Sequence, residues 1–310
     1  MKIIVTGGAG FIGSHVADAY VAAGHEVLIV DDLSSGRREN VNANAKLVQL
    51  DIRSAAARQL VERERPDVLN HHAAQMNVRV SVADPEFDAG VNILGFLNLL
   101  AGARDGGVAR IIFASSGGAV YGEQERFPAP ETHPTAPVSP YGISKRAGEL
   151  YLHYWHAAYG IPYVALRYAN VYGTRQDPHG EAGVVAIFTD QLLRGETPVI
   201  NGDGEQTRDY VHVGDVVAAN LAALGTGYVG EVNIGTGIET DVNTLFALLR
   251  GAAGARVSAT HGPGKPGEQR RSVVDPALAR QVLGWIPGRR LEDGLRDVVS
   301  SARASRGSER

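Results

Sequence analysis

Residues 6–13 read TGGAGFIG, a G-x-x-G-x-x-G turn between a short β-branched run at 2–6 (KIIVT) and an amphipathic stretch of helical length at 11–23. Few patterns constrain a fold as strongly. Glycine lets the chain turn tightly from strand into helix and lets backbone N–H groups approach a pyrophosphate, while the helix start adds partial positive charge. Glycine triplets by themselves are common in turns. Here Asp31 closes the next strand-like run, 18 residues after Gly13. A carboxylate there accepts from both adenosine ribose hydroxyls and repels a 2′-phosphate, so the pattern reads as an NAD site rather than an NADP site. Taken alone, Asp31 would also suit a strand-end turn. So would Asp51 at the end of the third run, where a carboxylate could reach adenine.

The periodicity around this turn sets the fold class. Short apolar runs at 2–6, 26–31, 46–51, 67–72, 110–115 and 163–168 alternate with amphipathic stretches at 11–23, 54–65, 91–104 and 141–159. Strand and helix in alternation predict an α/β fold, a doubly wound parallel sheet with right-handed crossovers and helices on both faces. After residue 170 glycine, proline and charge rise, and helix-like stretches stand at 184–194, 213–224, 243–252 and 276–283. The expected division is an NAD-binding domain at 1–170 with a returning segment at about 206–235, and a smaller C-terminal substrate lobe at 171–205 and 236–310. The polar tail at 301–310 is expected to fray.

Composition removes several classes of function. Lys+Arg total 30 against Asp+Glu 34, a net charge of −4 that supports neither a nucleic-acid binder nor a membrane-surface protein. The apolar runs are too short to span a bilayer. Cysteine is absent, which excludes disulfides, thiolate catalysis and Cys-ligated metals and agrees with a cytoplasmic location. His71 and His72 are adjacent, so on a strand they point to opposite faces, and no metal site is expected.

The chemistry points to Tyr141 and Lys145 in SPYGISK (139–145). They are four residues apart and share one face of a helix that follows the fifth strand. A tyrosine is a poor base near neutral pH, with a reference pKa of about 10. A nearby ammonium favours the phenolate, and a shift of ~3 units requires ~4 kcal/mol of differential stabilisation. Only four lysines occur in the chain, Lys2, Lys46, Lys145 and Lys265, and a compact ammonium is not interchangeable with a guanidinium. Ser115 and Ser116 end the fifth strand, where ligands sit in open α/β sheets; the following glycines also suit a plain turn.

With these residues in view, the chain resembles the extended short-chain dehydrogenase/reductase superfamily and, within it, the UDP-glucose (UDP-galactose) 4-epimerase family. The segments that carry the likeness are TGGAGFIG (6–13), VDDLSSG (30–36), HHAAQ (71–75), FASSGGAVYG (113–122), SPYGISK (139–145), LRYANVYG (166–173), GEAGVVAIF (180–188), INGDGEQTRDYVHVGD (200–215) and NIGTG (233–237). The resemblance implies 4-epimerisation of a UDP-hexose by transient oxidation at C4, with NAD retained. Gly7, Gly10, Phe11, Ile12 and Gly13 would hold the pyrophosphate, and Asp31, Asp32, Ser34, Ser35 and Gly36 the ribose. Asp51 and Ile52 would meet adenine, while His72, Ala73, Ala74, Asn92 and Tyr168 line the cofactor. Ser116, 25 residues before Tyr141, takes the family's catalytic hydroxyl position, with Ser115 the alternative. On the substrate side the resemblance implies Ser116, Gly117 and Asn170, with backbone groups of Gly183 and Val184. Val199 and Asn201 would face uracil, and Arg208, Lys265, Glu268 and Ser272 complete the set. A homodimer pairing through 91–104 and 141–159 is implied, for which Tyr151, Tyr154, Trp155 and Tyr159 would supply core or interface packing.

Three departures from the family pattern matter. The serine loop carries one extra residue, so its register is open. Lys265 stands where the family has a second arginine, which keeps a charge but loses bidentate geometry. Ser272 stands where some epimerases have a bulky tyrosine, which would leave room for a 2-acetamido group and predicts activity on UDP-N-acetylhexosamines. Among the rivals, a 4,6-dehydratase would need an Asp-Glu pair where Gly117 and Gly118 stand. A UDP-glucuronate 4-epimerase or decarboxylase would need a carboxylate site, for which Arg175 is the candidate. A non-enzymatic NAD sensor would not require the Tyr-Lys pair.

Overall fold

The computed structural model describes residues 1–179, 183–264 and 269–308. Its main sheet has seven strands, all pairs parallel: β1 (Lys2–Thr6), β2 (Glu26–Asp31), β3 (Lys46–Gln49), β4 (Val68–His71), β5 (Arg110–Ser116), β6 (Tyr163–Tyr168) and, after three strands of the lobe, β10 (Gly230–Ile234). The order is β10-β6-β5-β4-β1-β2-β3, so the order in which strands are added reverses between β1 and β4. Ligands of open α/β sheets sit outside the carboxyl strand ends at such a switch point.

The alternation of the strands decides which helices cover which face. Ile3 and Val5 bury against α1 (Phe11–Ala22) and α9 (Val213–Gly225), through Val16, Tyr20 and Val216. Ile4, one residue out of phase, joins Leu60 of α2 (Ala55–Glu64), Leu99 of α5 (Phe96–Gly106) and Leu152 of α7 (Pro140–Tyr159) on the other face. Burial of side chains of this size stabilises by roughly 1.5–3 kcal/mol each, which is why both faces of β1 are apolar.

Local signals set the helix ends. Ser54 accepts from the Ala57 N–H, and Ser139 accepts from the Gly142 N–H with Pro140 just inside α7. Two short helices not read from the sequence, α3 (Val78–Ala83) and α4 (Pro85–Ala89), precede a π-helical turn at Gly90–Gly95 that runs into α5. The stretch expected as one helix from 91 thus begins as π-helix, a form that recurs beside functional sites. One further turn, α6 (Gly117–Val120), follows β5 directly.

The remaining elements but one form the lobe. They are β7 (Asn170–Tyr172), α8 (Val184–Arg194), β8 (Val199–Asn201), β9 (Thr207–His212), β11 (Glu239–Asp241), α10 (Val242–Ala253), β12 (Thr260–Gly262), β13 (Arg271–Ser272) and α12 (Leu291–Ser308), while α11 (Ala277–Leu283) packs on β10 and α9 of the main-sheet layer. Strand β9 is the hub of a four-stranded sheet, pairing with β7, β11 and β13, while β8 pairs with β12. Phe188, Leu192, Leu245, Phe246, Leu249, Leu295 and Val298 make the lobe core. The tail does not fray at residue 301. Helix α12 continues because Arg303 donates to the Ala253 carbonyl at the end of α10 and Arg306 pairs with Asp190 of α8.

Candidate active site

The glycine turn is shaped by what it excludes. Gly7 has φ +69°, and a Cβ on Gly13 would lie 2.2 Å from the Gly7 carbonyl oxygen, so α1 starts against bare backbone. Gly10 caps α1 and no side chain accepts from its first turn, which leaves those N–H groups for an outside acceptor. Asp31 is buried beside the turn, its carboxylate accepting from the N–H groups of Ala9 and Leu33, both at 2.9 Å. Burial pushes its pKa up, against the pull of those two bonds. A Cβ on Gly36 would lie 2.7 Å from Asp31 Oδ1, so these two stand together. Asp32 and Ser34 are bonded to each other near the surface, Oγ to Oδ1 at 2.6 Å, and Ser35 is exposed.

Farther along the sheet edge, Asp51 is held below the usual carboxylate range by the Arg53 guanidinium, and Ile52 is buried. His71 packs against Phe96 and Phe113, which also stack on each other, with its Nδ1 2.7 Å from Thr6 Oγ1. His72 takes the other side, its ring parallel to that of Tyr168 and turned toward Asn220. Burial, then the charge of Lys145, push its imidazole down to about 3, so it is neutral. Ala73 donates its N–H to Thr6 Oγ1 and, with Ala74, is half-buried. Asn92 is buried and its amide is spent on Gln75, Asp88 and Ser144. An uncapped helix start, a turn with no room for side chains and a buried carboxylate beside it fit a dinucleotide.

Helix α7 brings Tyr141 and Lys145 to the ends of these strands. Its first turn lies close on α6, since a Cβ on Gly142 would meet the Ala119 carbonyl oxygen at 2.7 Å. Lys145 is buried, donates from Nζ to the Ala114 carbonyl at 2.8 Å, and sits 5.7 Å from the Tyr141 ring centre. Burial lowers its pKa to about 8, against the charges of Asp88 and Glu149. The two serines part company at the end of β5. Ser115 is buried and donates to Glu149 Oε1 at 2.6 Å, within a buried pair in which Arg167 donates to both Glu149 oxygens at 2.8 Å. Ser116 faces the other way. A Cβ built on Gly118 would find Asn170 Oδ1 at 3.7 Å, Ser272 Oγ at 3.9 Å and Ser116 Oγ at 4.0 Å. Three residues expected to face the sugar therefore surround one point, although they lie on three separate segments.

The family model for the NAD dependent epimerase/dehydratase family matches residues 3–235. The chain belongs to this family. Among solved structures, the UDP-glucose 4-epimerase of Thermotoga maritima, solved with UDP-glucose, is 48% identical, with 98% of this chain and 99% of that one covered and a TM-score of 0.97. The UDP-glucose 4-epimerase of Thermus thermophilus, a complex with NAD, is 44% identical over 98% and 100% of the two chains, TM-score 0.94. The UDP-N-acetylglucosamine 4-epimerase of Methanobrevibacter ruminantium, in complex with UDP-N-acetylmuramic acid, is 35% identical over 98% of each chain, TM-score 0.94.

The other residues expected on the substrate side lie mostly in the lobe. Arg208 and Ser272 are register partners on β9 and β13, and Arg208 Nη1 donates to the Thr207 carbonyl. Val199, exposed, and Asn201 flank β8, while Gly183 caps α8 ahead of Val184. Gly117 is buried against Val274. Lys265 and Glu268 lie outside the described residues. Arg175, the candidate for a sugar carboxylate, points elsewhere, bonded to Asp18 and Ser14 of α1. Among the described residues no helix is long and apolar enough to cross a membrane, and no group of three His, Asp or Glu could hold a metal.

Sequence reading did not assign a role to Asp209. Its buried carboxylate accepts from Thr236 N–H, Thr236 Oγ1 and Gly237 N–H, tying β9 to the NIGTG loop. Both motifs stand in the sequence; only their contact was missing.

Proposed function

We propose that the protein interconverts the C4 epimers of a UDP-hexose, UDP-glucose and UDP-galactose, with NAD held along the glycine turn. The observation that carries this reading is the convergence of Ser116, Asn170 and Ser272 around Gly118, on the α6 turn that packs against the start of the Tyr141-Lys145 helix. The backbone of Gly7–Gly13 would take the pyrophosphate, Asp31 the adenosine ribose, and His72 and Tyr168 the nicotinamide end. When bound, NAD supplies a reversible hydride acceptor for C4.

Tyr141 takes the C4 hydroxyl proton on its phenolate oxygen, directly or through Ser116 Oγ, and returns it after the sugar has turned. Ser116 fits this part better than Ser115, whose hydroxyl is bound to Glu149. Lys145 holds positive charge beside the ring and favours the phenolate. Uracil and diphosphate contacts from Asn170, Val184, Val199, Asn201 and Arg208 would anchor the nucleotide while the sugar rotates, so that most binding energy stays away from C4. Ser272 leaves space for a 2-acetamido group, which supports acceptance of the N-acetyl forms. The engagement of Arg175 by Asp18 removes the observation that favoured a glucuronate substrate. Division into an NAD-binding domain and a UDP-sugar lobe, a homodimer and a cytoplasmic location belong to the same proposal.

The test is incubation of the purified protein with UDP-glucose, UDP-N-acetylglucosamine and UDP-glucuronate, following the C4 epimer by NMR and the retained NAD by extraction. Epimer from the first two is expected. NAD-loaded protein that converts no UDP-hexose would overturn the reading.

A further inference from the structure

Two buried charges, one of them 5.7 Å from the Tyr141 ring centre, have no ion-pair partner among the described residues. Lys145 is 4% exposed, and the hydrogen bond it makes is to a neutral carbonyl, that of Ala114. Asp88 of α4 is 1% exposed and accepts only from amides, Asn92 Nδ2 at 3.0 Å and Gln75 Nε2 at 3.2 Å, with no ion pair among the described residues. A buried carboxylate held by neutral donors alone is costly, because desolvation is repaid only in part. Helix α4 packs on α7, and Asn92 Nδ2 links the two elements by reaching Ser144 Oγ, the neighbour of Lys145, at 3.2 Å.

We propose that Asp88 is the counter-charge of Lys145, a positioning residue that keeps the ammonium protonated beside Tyr141. The other charged or titratable groups around Lys145 do not fill this role. Glu149, one turn along α7, is already neutralised by Arg167 and Arg146. His71 and His72 at the end of β4 are kept uncharged by burial, and Tyr141 is the group to be activated. Asp88 adds to the attraction that opposes the burial of Lys145. The π-helical turn then has a purpose: it sets Asn92 between the acid on α4 and the start of α7.

This inference rests on the proposed function for its meaning but not for its test. Asp88→Asn keeps the shape and one acceptor oxygen. In the active enzyme it should move the alkaline limb of kcat/KM to lower pH by about one unit or more, the size expected for loss of a nearby opposite charge. Thermal unfolding of the NAD-free protein gives a second readout that needs no turnover. Asp88→Asn should lower Tm in the wild type yet raise it in a Lys145→Met background, where Asp88 would be an uncompensated buried charge. If Asp88→Asn alone does not fold, Lys145→Met against the double variant still decides. An unmoved alkaline limb, or a Tm lowered equally in both backgrounds, overturns the proposal. Should the wild type convert no UDP-hexose, the proposed function falls and the unfolding comparison still stands.

Discussion

Tyr141 and Lys145 are one helical turn apart, and the pair gains its chemistry from burial. Tyr141→Phe keeps the ring but removes the oxygen that moves the proton. Turnover should fall by at least ~10²–10⁴-fold while UDP affinity is unchanged, as kinetics and calorimetry would show. Lys145, lowered to about 8 by burial, is charged below that pH and neutral above it. Activity that needs the ammonium should therefore fall as pH rises through 8. Its share of stability has the opposite sign. Between about 8 and the ordinary lysine value of 10.5 the unfolded chain binds more protons than the folded one, so the Lys145 contribution rises with pH in that window. Denaturant unfolding of wild type and Lys145→Met across that window and just below it would measure the difference.

At the scale of elements, the strand and helix periods were legible and the short connectors were not. The runs at 2–6, 26–31 and 163–168 are strands over those same residues, since a buried parallel strand needs an unbroken β-branched run. Helices α3 and α4, of six and five residues, are too short for a periodic signal and exist because Asn77 and Asp84 cap them and α7 covers them. The lobe strands β7, β8, β11, β12 and β13 have three residues or fewer and form only where β9 or β8 is present to pair. Asp209 holds that arrangement by accepting from three donors, the Thr236 N–H and hydroxyl and the Gly237 N–H. Asp209→Ala orphans those donors and should cost about 1–3 kcal/mol per buried group left unsatisfied, read as a lower urea midpoint. An unchanged midpoint would mean the loop is held by something else.

For the whole molecule, one surface stands out. Leu94 is 63% exposed, Leu150 54% and Tyr154 52%, on the π-helical turn and α7. Exposed apolar residues of this size on neighbouring helices are what the proposed dimer would cover. Sedimentation should find a dimer, and Leu150→Arg should shift it to monomer while the far-UV spectrum stays the same. A wild-type monomer at micromolar concentration would end the dimer proposal.

The sequence by itself determined the doubly wound sheet, the glycine turn before α1, the acid at the end of β2 and the Tyr-Lys spacing, because each is written in residues close together along the chain. Only the tertiary structure decided which serine of β5 lies beside Gly118, that Arg175 turns to Asp18, that Asn170 and Ser272 meet at the same point, and that Asn92 joins Asp88 to Ser144 of α7. Those contacts join segments far apart along the chain, as Gly118 and Ser272 are. They depend on strand register, where a slip of one residue turns every side chain to the opposite face, and nothing local in the chain records that register.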